Sequence, residues 1–453
     1  MTAPTDALRR CDALISEGRI DDARACALAL ADAPPTGTPK ASKLGALLFQ
    51  LGEFAAAGRV LAAEINARTA TPEAQRVLST LLYRAGDLRG ARLLMTEACQ
   101  RDPYKGLPPA HDQKPVLLRV RALHQSSYGV SKDRVTGLRR RKLLRGHFST
   151  RHFIDTSRFN VVVASLVGSE LPPTDSLPRP DLIVNTAACA DLNPAGLEDV
   201  ERFVGQFSDV PIINRPGRVR STSRAGNAHR LSQIEGVIFP QTVNIRRPQD
   251  PAIALDLLRQ TGMAYPLILR QAGSQTGRTM ELAQNDTDVV RYVAAQEVHQ
   301  PLVAIKYHDA RDAHGRYRKL RAFFIDGKMY PVVDLRSDHW NLHSADRYRI
   351  MHQDNEAQKD ELRFLSSPEE VLGVANIERL AEINRQIGLD FLGVDFTPCA
   401  DGRVLIFEAN AAMRHNYDHL ELFPYRAPFL DAISDAFRRM LDVRVAGVGE
   451  TIS

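Results

Sequence analysis

Gly393-Val394-Asp395-Phe396 and Asp401-Gly402-Arg403-Val404-Leu405-Ile406-Phe407-Glu408-Ala409-Asn410 read as two apolar strands joined by an Asp-Gly turn. The first strand carries one carboxylate, and the second ends in a Glu-x-Asn pair. Residues two apart in a strand share a face, so Glu408 and Asn410 point the same way. With Asp395 on that side too, three hard oxygen donors converge. Such a set suits Mg²⁺ in the company of phosphate oxygens, because Mg²⁺ takes few protein ligands. An ordinary hairpin with polar ends fits this stretch equally well, so the reading depends on the segments upstream.

A chain of 453 residues is too long for one core, which predicts two or three domains. A net charge of +5 over this length says little about partners. Cys11, Cys26, Cys99, Cys189 and Cys399 are scattered without a CxxC spacing, so neither a disulfide framework nor a zinc site is indicated. The N-terminus has no signal-peptide core, and no apolar run approaches the length of a membrane span. A cytoplasmic protein without membrane contact is expected.

Working back to the N-terminus, Gly18, Gly52 and Gly86 are 34 residues apart, and each opens a similar phrase ending in Ala23, Ala57 or Ala91. The glycine permits a tight turn between helices, and the alanine lets them approach. Pro35 and Pro103 fall 17 residues after their glycines, and Thr69 takes that place in the middle phrase. This period resembles the tetratricopeptide repeat, though the usual early aromatic is missing. The resemblance implies an all-α domain over residues 1–105 that holds a peptide or protein partner, or else serves in packing or dimerisation.

A polar, proline-containing linker near residues 106–113 precedes the apolar runs Val116–Val120, Phe159–Ala164, Leu182–Asn185 and Pro211–Asn214. Helical segments such as 197–207 separate some of them, which predicts a small parallel α/β lobe over 114–220. No GxGxxG follows a strand, so a dinucleotide site is not expected. Arg139-Arg140-Arg141-Lys142, with Arg145 and His147 nearby, suits nucleic acid or an acidic substrate, but reads first as a basic helix face in water. Without aromatics to stack on bases, nucleic acid is not an expected partner.

Beyond residue 221, a short helix near Arg224–Leu231 leads to Gly236-Val-Ile-Phe-Pro-Gln-Thr242. Tyr265–Arg270 reads as a strand ending in a cation, and Gly273-Ser274-Gln275-Thr276-Gly277 as a flexible loop. Backbone N–H groups of such a loop can cradle phosphates, with Arg270 as counter-charge. The Walker pattern is absent, which argues against a P-loop enzyme. Next come Leu302–Tyr307, Asp309, and the hairpin beginning Tyr317-Arg318-Lys319-Leu320-Arg321. Alternation puts Lys319 and Arg321 on one face.

These segments, in this order and ending in Asp395, Glu408 and Asn410, resemble the ATP-grasp superfamily. The likeness extends over roughly residues 115–440 and is nearest to the carboxylate–amine ligases of the ribosomal-protein glutamate ligase branch. It implies a multidomain chain: the all-α repeats, a Rossmann-like pre-ATP-grasp lobe of α/β type over 114–220, and α+β ATP-grasp lobes over 221–442. Asp395, Glu408 and Asn410 match the metal positions, for Mg²⁺ or alternatively Mn²⁺. Arg270 stands where relatives usually carry lysine, so its contact with phosphate differs in geometry. Ile305, Lys306 and Tyr307 correspond to the hinge whose backbone holds adenine, and Asp309 to an acidic group that meets the ribose. Lys319 and Arg321 face phosphate, and Arg336 matches an arginine over the transferring group.

The resemblance further implies an ADP-forming ligase that joins a carboxylate to an amine through an acyl phosphate. The substrates would be small molecules or a peptide held by the repeats. A small-molecule kinase on the same scaffold, and a nucleotide-binding scaffold without turnover, are the alternatives. Many relatives are homo-oligomers, but no interface is legible. His339-Trp340-Asn341-Leu342-His343 echoes a stretch of the glutamate ligase branch. His339, His343, His415 and His419 read as ligands or acid–base groups, or as structural histidines. Arg414 and His415 occupy positions where relatives place acceptor contacts.

Overall fold

The computed structural model describes residues 4–32, 40–109, 111–123, 127–133, 135–144, 146–168, 170–273, 277, 279–312, 314–343 and 345–449. It is a mixed helical and sheet structure of two compact units. One comprises Met1–Pro108, Arg121–Arg145 and Val162–Pro178, and the other Pro109–Val120, Gly146–Val161 and Arg179–Ser453. Residues of the expected middle lobe occur in both.

In the first unit, α1 (Pro4–Ser16) and α2 (Ile20–Asp32), α3 (Lys40–Leu51) and α4 (Phe54–Asn66), and α5 (Pro72–Ala85) and α6 (Leu88–Arg101) form three successive pairs. Gly18, Gly52 and Gly86, between partners, have φ of 77°, 93° and 92°. This left-handed conformation is open to glycine and strained for other residues. Ala23, Ala57 and Ala91 are each completely buried, so a longer side chain would force the paired helices apart. Pro35 lies outside the described residues.

The chain continues through β1 (Tyr104–Lys105), β2 (Val116–Ala122), β3 (Ser127–Lys132), β4 (Arg139–Leu144) and β5 (Asn160–Leu166). The basic run Arg139–Lys142 is therefore a strand, not the expected helix face. It pairs antiparallel with β3, and the hairpin packs on α3 and α5. Four consecutive charges carry no periodicity; the strand is set by its pairing with β3, and the Glu73 carboxylate accepts Arg141 at 2.7 and 3.0 Å.

In the second unit, β2 runs parallel to β6 (Leu182–Asn185) and β6 to β7 (Ile212–Ile213), with α7 (Pro194–Val204) between the last two in sequence. The short helices α8 (Pro216–Arg220) and α9 (Arg224–Leu231) lead to β8 (Val237–Ile238) and β9 (Thr242–Arg246). After α10 (Ala252–Gln260) come β10 (Leu267–Gln271), β11 (Glu281–Ala283), α11 (Asp286–Ala294) and β12 (Pro301–Lys306). They build an antiparallel sheet of order β11-β10-β12-β9, backed by α10 and α11 through Leu258, Val289, Tyr292 and Val293.

A second sheet takes the hairpin β13 (Tyr317–Ile325) and β14 (Lys328–Ser337), then β15 (Phe391–Pro398) and β16 (Val404–Asn410), in the order β14-β13-β15-β16-β8. The helices α12 (Asn355–Ser366), α13 (Pro368–Leu372) and α14 (Val374–Ile387) separate the two hairpins, and α15 (Ala427–Gly449) follows. Alternation gives β13 two distinct faces. Lys319, Arg321, Phe323 and Ile325 share one, and register sets Arg321 opposite Asp395 and Ile325 opposite Phe391. That face grades from charged to apolar, ending where Phe148, Phe153, Phe323, Phe391 and Phe437 pack ring on ring. The other face is covered by α12.

Candidate active site

The β15–β16 hairpin brings the three oxygen donors together as its alternation requires. Asp395 pairs directly with Glu408, and Gly393 with Asn410. Between these rows and the apolar end of the hairpin the register slips by one residue, a bulge that leaves Phe407 unmatched. The Phe407 carbonyl accepts Arg224 Nη1 at 2.7 Å, and Arg224 Nη2 lies 3.6 Å from Glu408 Oε1. Asn410 Nδ2 donates to Glu408 Oε1 at 2.7 Å, while its own Oδ1 accepts Ala412 N at 2.8 Å.

Across the sheet, Arg321 grips Asp395 with both arms, Nε to Oδ1 at 2.6 Å and Nη2 to Oδ2 at 2.8 Å. Lys319 Nζ stands 3.9 Å from the same Oδ2 and donates to the Leu342 carbonyl at 3.0 Å. Burial alone would raise the Asp395 carboxyl, but Arg321 and then Lys319 hold it below its ordinary value. Burial pushes the Lys319 ammonium down, against the pull of Asp395. Asp395 retains 6 % side-chain exposure and Glu408 41 %. The hairpin therefore offers one locked and one open carboxylate.

Two further groups complete the face. Arg270, at the end of β10, is desolvated and lies in the fields of Arg224, Glu408 and Asp191. Asp191 accepts Arg224 N at 3.2 and 3.3 Å, and burial raises its carboxyl above the ordinary range. Asn227 ties α9 to the hairpin by donating to the Ala409 carbonyl at 2.8 Å. No motif in the sequence marks Asp191 or Arg224 for this site. Their only signals in sequence are a polar residue in the loop after β6 and a cation at a helix start.

Of the loop residues, Ser274, Gln275 and Thr276 lie outside the described residues. Gly273 and Gly277 have φ of 67° and 69°, and a Cβ on Gly277 would meet Asn341 Oδ1 at 2.2 Å. The Gly277 carbonyl accepts Asn341 Nδ2 at 3.0 Å, which ties this loop to the segment after β14. At the expected hinge, Ile305 is buried, and the N–H groups of Lys306 and Tyr307 donate to Gln241 and Pro266. Asp309 is exposed and bonded to Arg311, Nε to Oδ1 at 2.9 Å. A base or ribose would have to share or displace these bonds.

Arg336 lies elsewhere. A regular pairing counted from the Asp326–Gly327 turn would set it opposite Tyr317, on the Lys319/Arg321 face. The register of β13 and β14 shifts by one between Arg321 and Ala322, so Arg336 pairs with Arg318 on the α12 face. There Arg336 Nη2 donates to Asp360 of α12 at 2.6 Å, and Arg318 Nε to Asp334 at 2.8 Å. The expected role over a transferring group is thus opposed by a one-residue bulge.

The histidines divide. His415 is buried, its Nε2 2.9 Å from Ser434 Oγ and its ring stacked on Phe153. Burial pushes its imidazole down to about 4. His419 Nδ1 meets the Tyr348 hydroxyl at 2.5 Å. Arg414 is exposed. His339, His343 and Asp346 bring one ligand atom each within 4.8 Å of the others, in the segment whose Leu342 carbonyl accepts Lys319 Nζ.

No protein-family model and no curated protein matches the sequence at a significant level. Solved structures align with it at low identity. D-alanine–D-alanine ligase from Bacillus anthracis complexed with ATP aligns at 12 % identity over 74 % of this chain and 98 % of its own, with TM-score 0.42. VanG D-Ala:D-Ser ligase from Enterococcus faecalis gives 14 % identity over 74 % and 99 %, with TM-score 0.42. A RimK domain protein ATP-grasp from Sphaerobacter thermophilus gives 12 % over 60 % and 90 %, with TM-score 0.34. Likeness at this level leaves the assignment to the chain's own geometry.

Proposed function

We propose that the chain is an ADP-forming carboxylate–amine ligase of the ATP-grasp type. The observation that carries this reading is the charged face itself: Asp395, Glu408 and Asn410 in adjacent rows, confronted by Lys319, Arg321, Arg224 and Arg270. Cations around a partly open carboxylate suit a polyphosphate that arrives with a divalent ion.

Asp395, Glu408 and Asn410 would hold Mg²⁺, with Mn²⁺ as an alternative. The donor set fits: all three offer oxygen, and a carboxylate oxygen already accepting an arginine N–H keeps a lone pair for a cation. When bound, the ion offsets charge on the phosphates as the γ-phosphoryl group moves. Lys319, Arg321 and Arg270 would neutralise the same group from the protein side. Gly273 and Gly277, with the Ser274–Thr276 stretch between them, would supply loop N–H groups. Ile305, Lys306, Tyr307 and Asp309 would border the nucleoside.

The substrate carboxylate attacks the γ-phosphorus and releases ADP; the amine then attacks the acyl phosphate carbon and expels phosphate. Alignment and charge compensation do this work, and little proton chemistry is asked of the protein. The helix pairs of residues 1–105, read as tetratricopeptide-like repeats, would hold a peptide substrate or partner. Five cysteines without a disulfide suit a cytoplasmic setting.

The test is purified protein with Mg²⁺-ATP and pooled amino acids, carboxylates and peptides, reading nucleotides and new masses. The expected result is ADP plus a mass equal to two components minus water, lost in Asp395→Asn and Glu408→Gln. A phosphate-sized gain would point to a kinase instead. Full activity in Asp395→Asn would refute the metal assignment. Deleting residues 1–105 should raise KM for a peptide substrate far more than KM for ATP.

A further inference from the structure

We infer that His339, His343 and Asp346 form a second metal site, for a d-block divalent ion with Zn²⁺ first in line, separate from the Asp395/Glu408/Asn410 face. The three side chains offer two imidazole nitrogens and one carboxylate oxygen, all within 4.8 Å of one another. Two histidines and a carboxylate are a donor set that such ions prefer and Mg²⁺ does not.

The distance between His339 and Asp346 suits coordination better than hydrogen bonding. His339 Nε2 is 3.4 Å from Asp346 Oδ1, long for an N–H···O bond. Two donors each about 2.1 Å from a tetrahedral ion stand about 3.4 Å apart. The His339 and His343 ring centroids are 5.9 Å apart, with the planes inclined by 48°. Asp346 is completely buried, and a buried carboxylate needs fixed partners.

The surrounding bonds orient it. His343 N donates to Asp346 Oδ2 at 2.9 Å, which leaves Oδ1 toward His339. Arg349 donates to Oδ1 at 3.0 and 3.3 Å, and is itself held by Asp338 at 2.7 Å and Ser337 Oγ at 3.2 Å. Both Arg349 bonds fall on the oxygen that would ligate, so an ion there would share Oδ1 with the guanidinium. His343 Nδ1 accepts Ala345 N at 3.3 Å, a weak contact that an ion at that nitrogen would replace. The segment between the histidines is fixed at both sides, by Asn341 to Gly277 and by Lys319 to Leu342. With three protein donors, a fourth position remains for water or a substrate oxygen.

The test is a Co²⁺ titration of chelator-treated full-length protein, followed by visible absorption. We expect ligand-field bands that saturate at one equivalent, disappear on adding Zn²⁺, and are lost in His339→Gln and His343→Gln. Asp395→Asn should keep them, so failure of the nucleotide reading and failure of this one are distinguishable. Absence of bands in the unaltered protein, their survival in both histidine variants, or their loss in Asp395→Asn would overturn the site. Should the variants fail to fold, X-ray absorption of the Zn²⁺-loaded unaltered protein decides: imidazole scattering is expected, and a shell without it refutes the proposal.

Discussion

The two faces of the β14-β13-β15-β16 sheet carry the same chemistry and differ in access. On the α12 face, Asp334 and Glu361 are completely buried, and Glu361 accepts Arg347 at 3.0 Å, Tyr425 at 2.8 Å and Asp334 N at 3.2 Å. Every oxygen there has its donor. On the opposite face, Arg321 and Lys319 keep 26 % and 22 % side-chain exposure, and Glu408 keeps more. Arginine–carboxylate pairs alone therefore do not mark a site. Pairs sealed under a helix fix architecture, and pairs left open to solvent can exchange partners with a ligand.

Four substitutions or conditions break or sharpen this contrast. The largest effect belongs to the sealed face. Glu361→Ala leaves Arg347 and Arg426 buried without their carboxylate, and should cost about 3–5 kcal/mol in urea unfolding. Lys319→Met, on the open face, should instead lower kcat for ADP formation about 100-fold or more, with little change in Tm. Equal losses of stability in the two variants would erase the distinction.

Next is the apolar end of the open face. With its folded value depressed to about 4 by burial, His415 stabilises the fold fully above its unfolded value near 6.5. That contribution fades as pH falls toward 4, up to roughly 3 kcal/mol. Thermal melts from pH 7 to pH 4 should show the decline, and His415→Asn should flatten it. The smallest effect is Arg336→Met, expected to cost about 1 kcal/mol and to leave kcat nearly unchanged. A kcat loss of 100-fold at unaltered stability would return Arg336 to the reacting group.

Much of this is legible in the sequence alone. The Asp-Gly turn and the alternation of Glu408 and Asn410 depend only on neighbours in sequence, and the Lys319/Arg321 face follows from the same rule. The glycine period likewise announced the three helix pairs. What escaped depends on distant or irregular geometry. A bulge of one residue moved Arg336 to the other face, and nothing in the residue types of β14 signals where such a slip falls. Asp191 meets Arg224, and Arg224 meets the Phe407 carbonyl 183 residues away. The strand Arg139–Leu144 pairs with β3, and its Arg141 meets Glu73, 68 residues earlier. Local pattern cannot contain such contacts.

The glycines at 18, 52 and 86 have a consequence for how this chain can change length. Each junction places a glycine at a left-handed φ, with a buried alanine five positions on. Copying residues 52–85 in tandem would add two helices and one further glycine turn, with Gly52 of the copy following Ala85 as Gly86 does now. Such a copy would keep a glycine at each of these left-handed turns, where an alanine or larger residue would be strained.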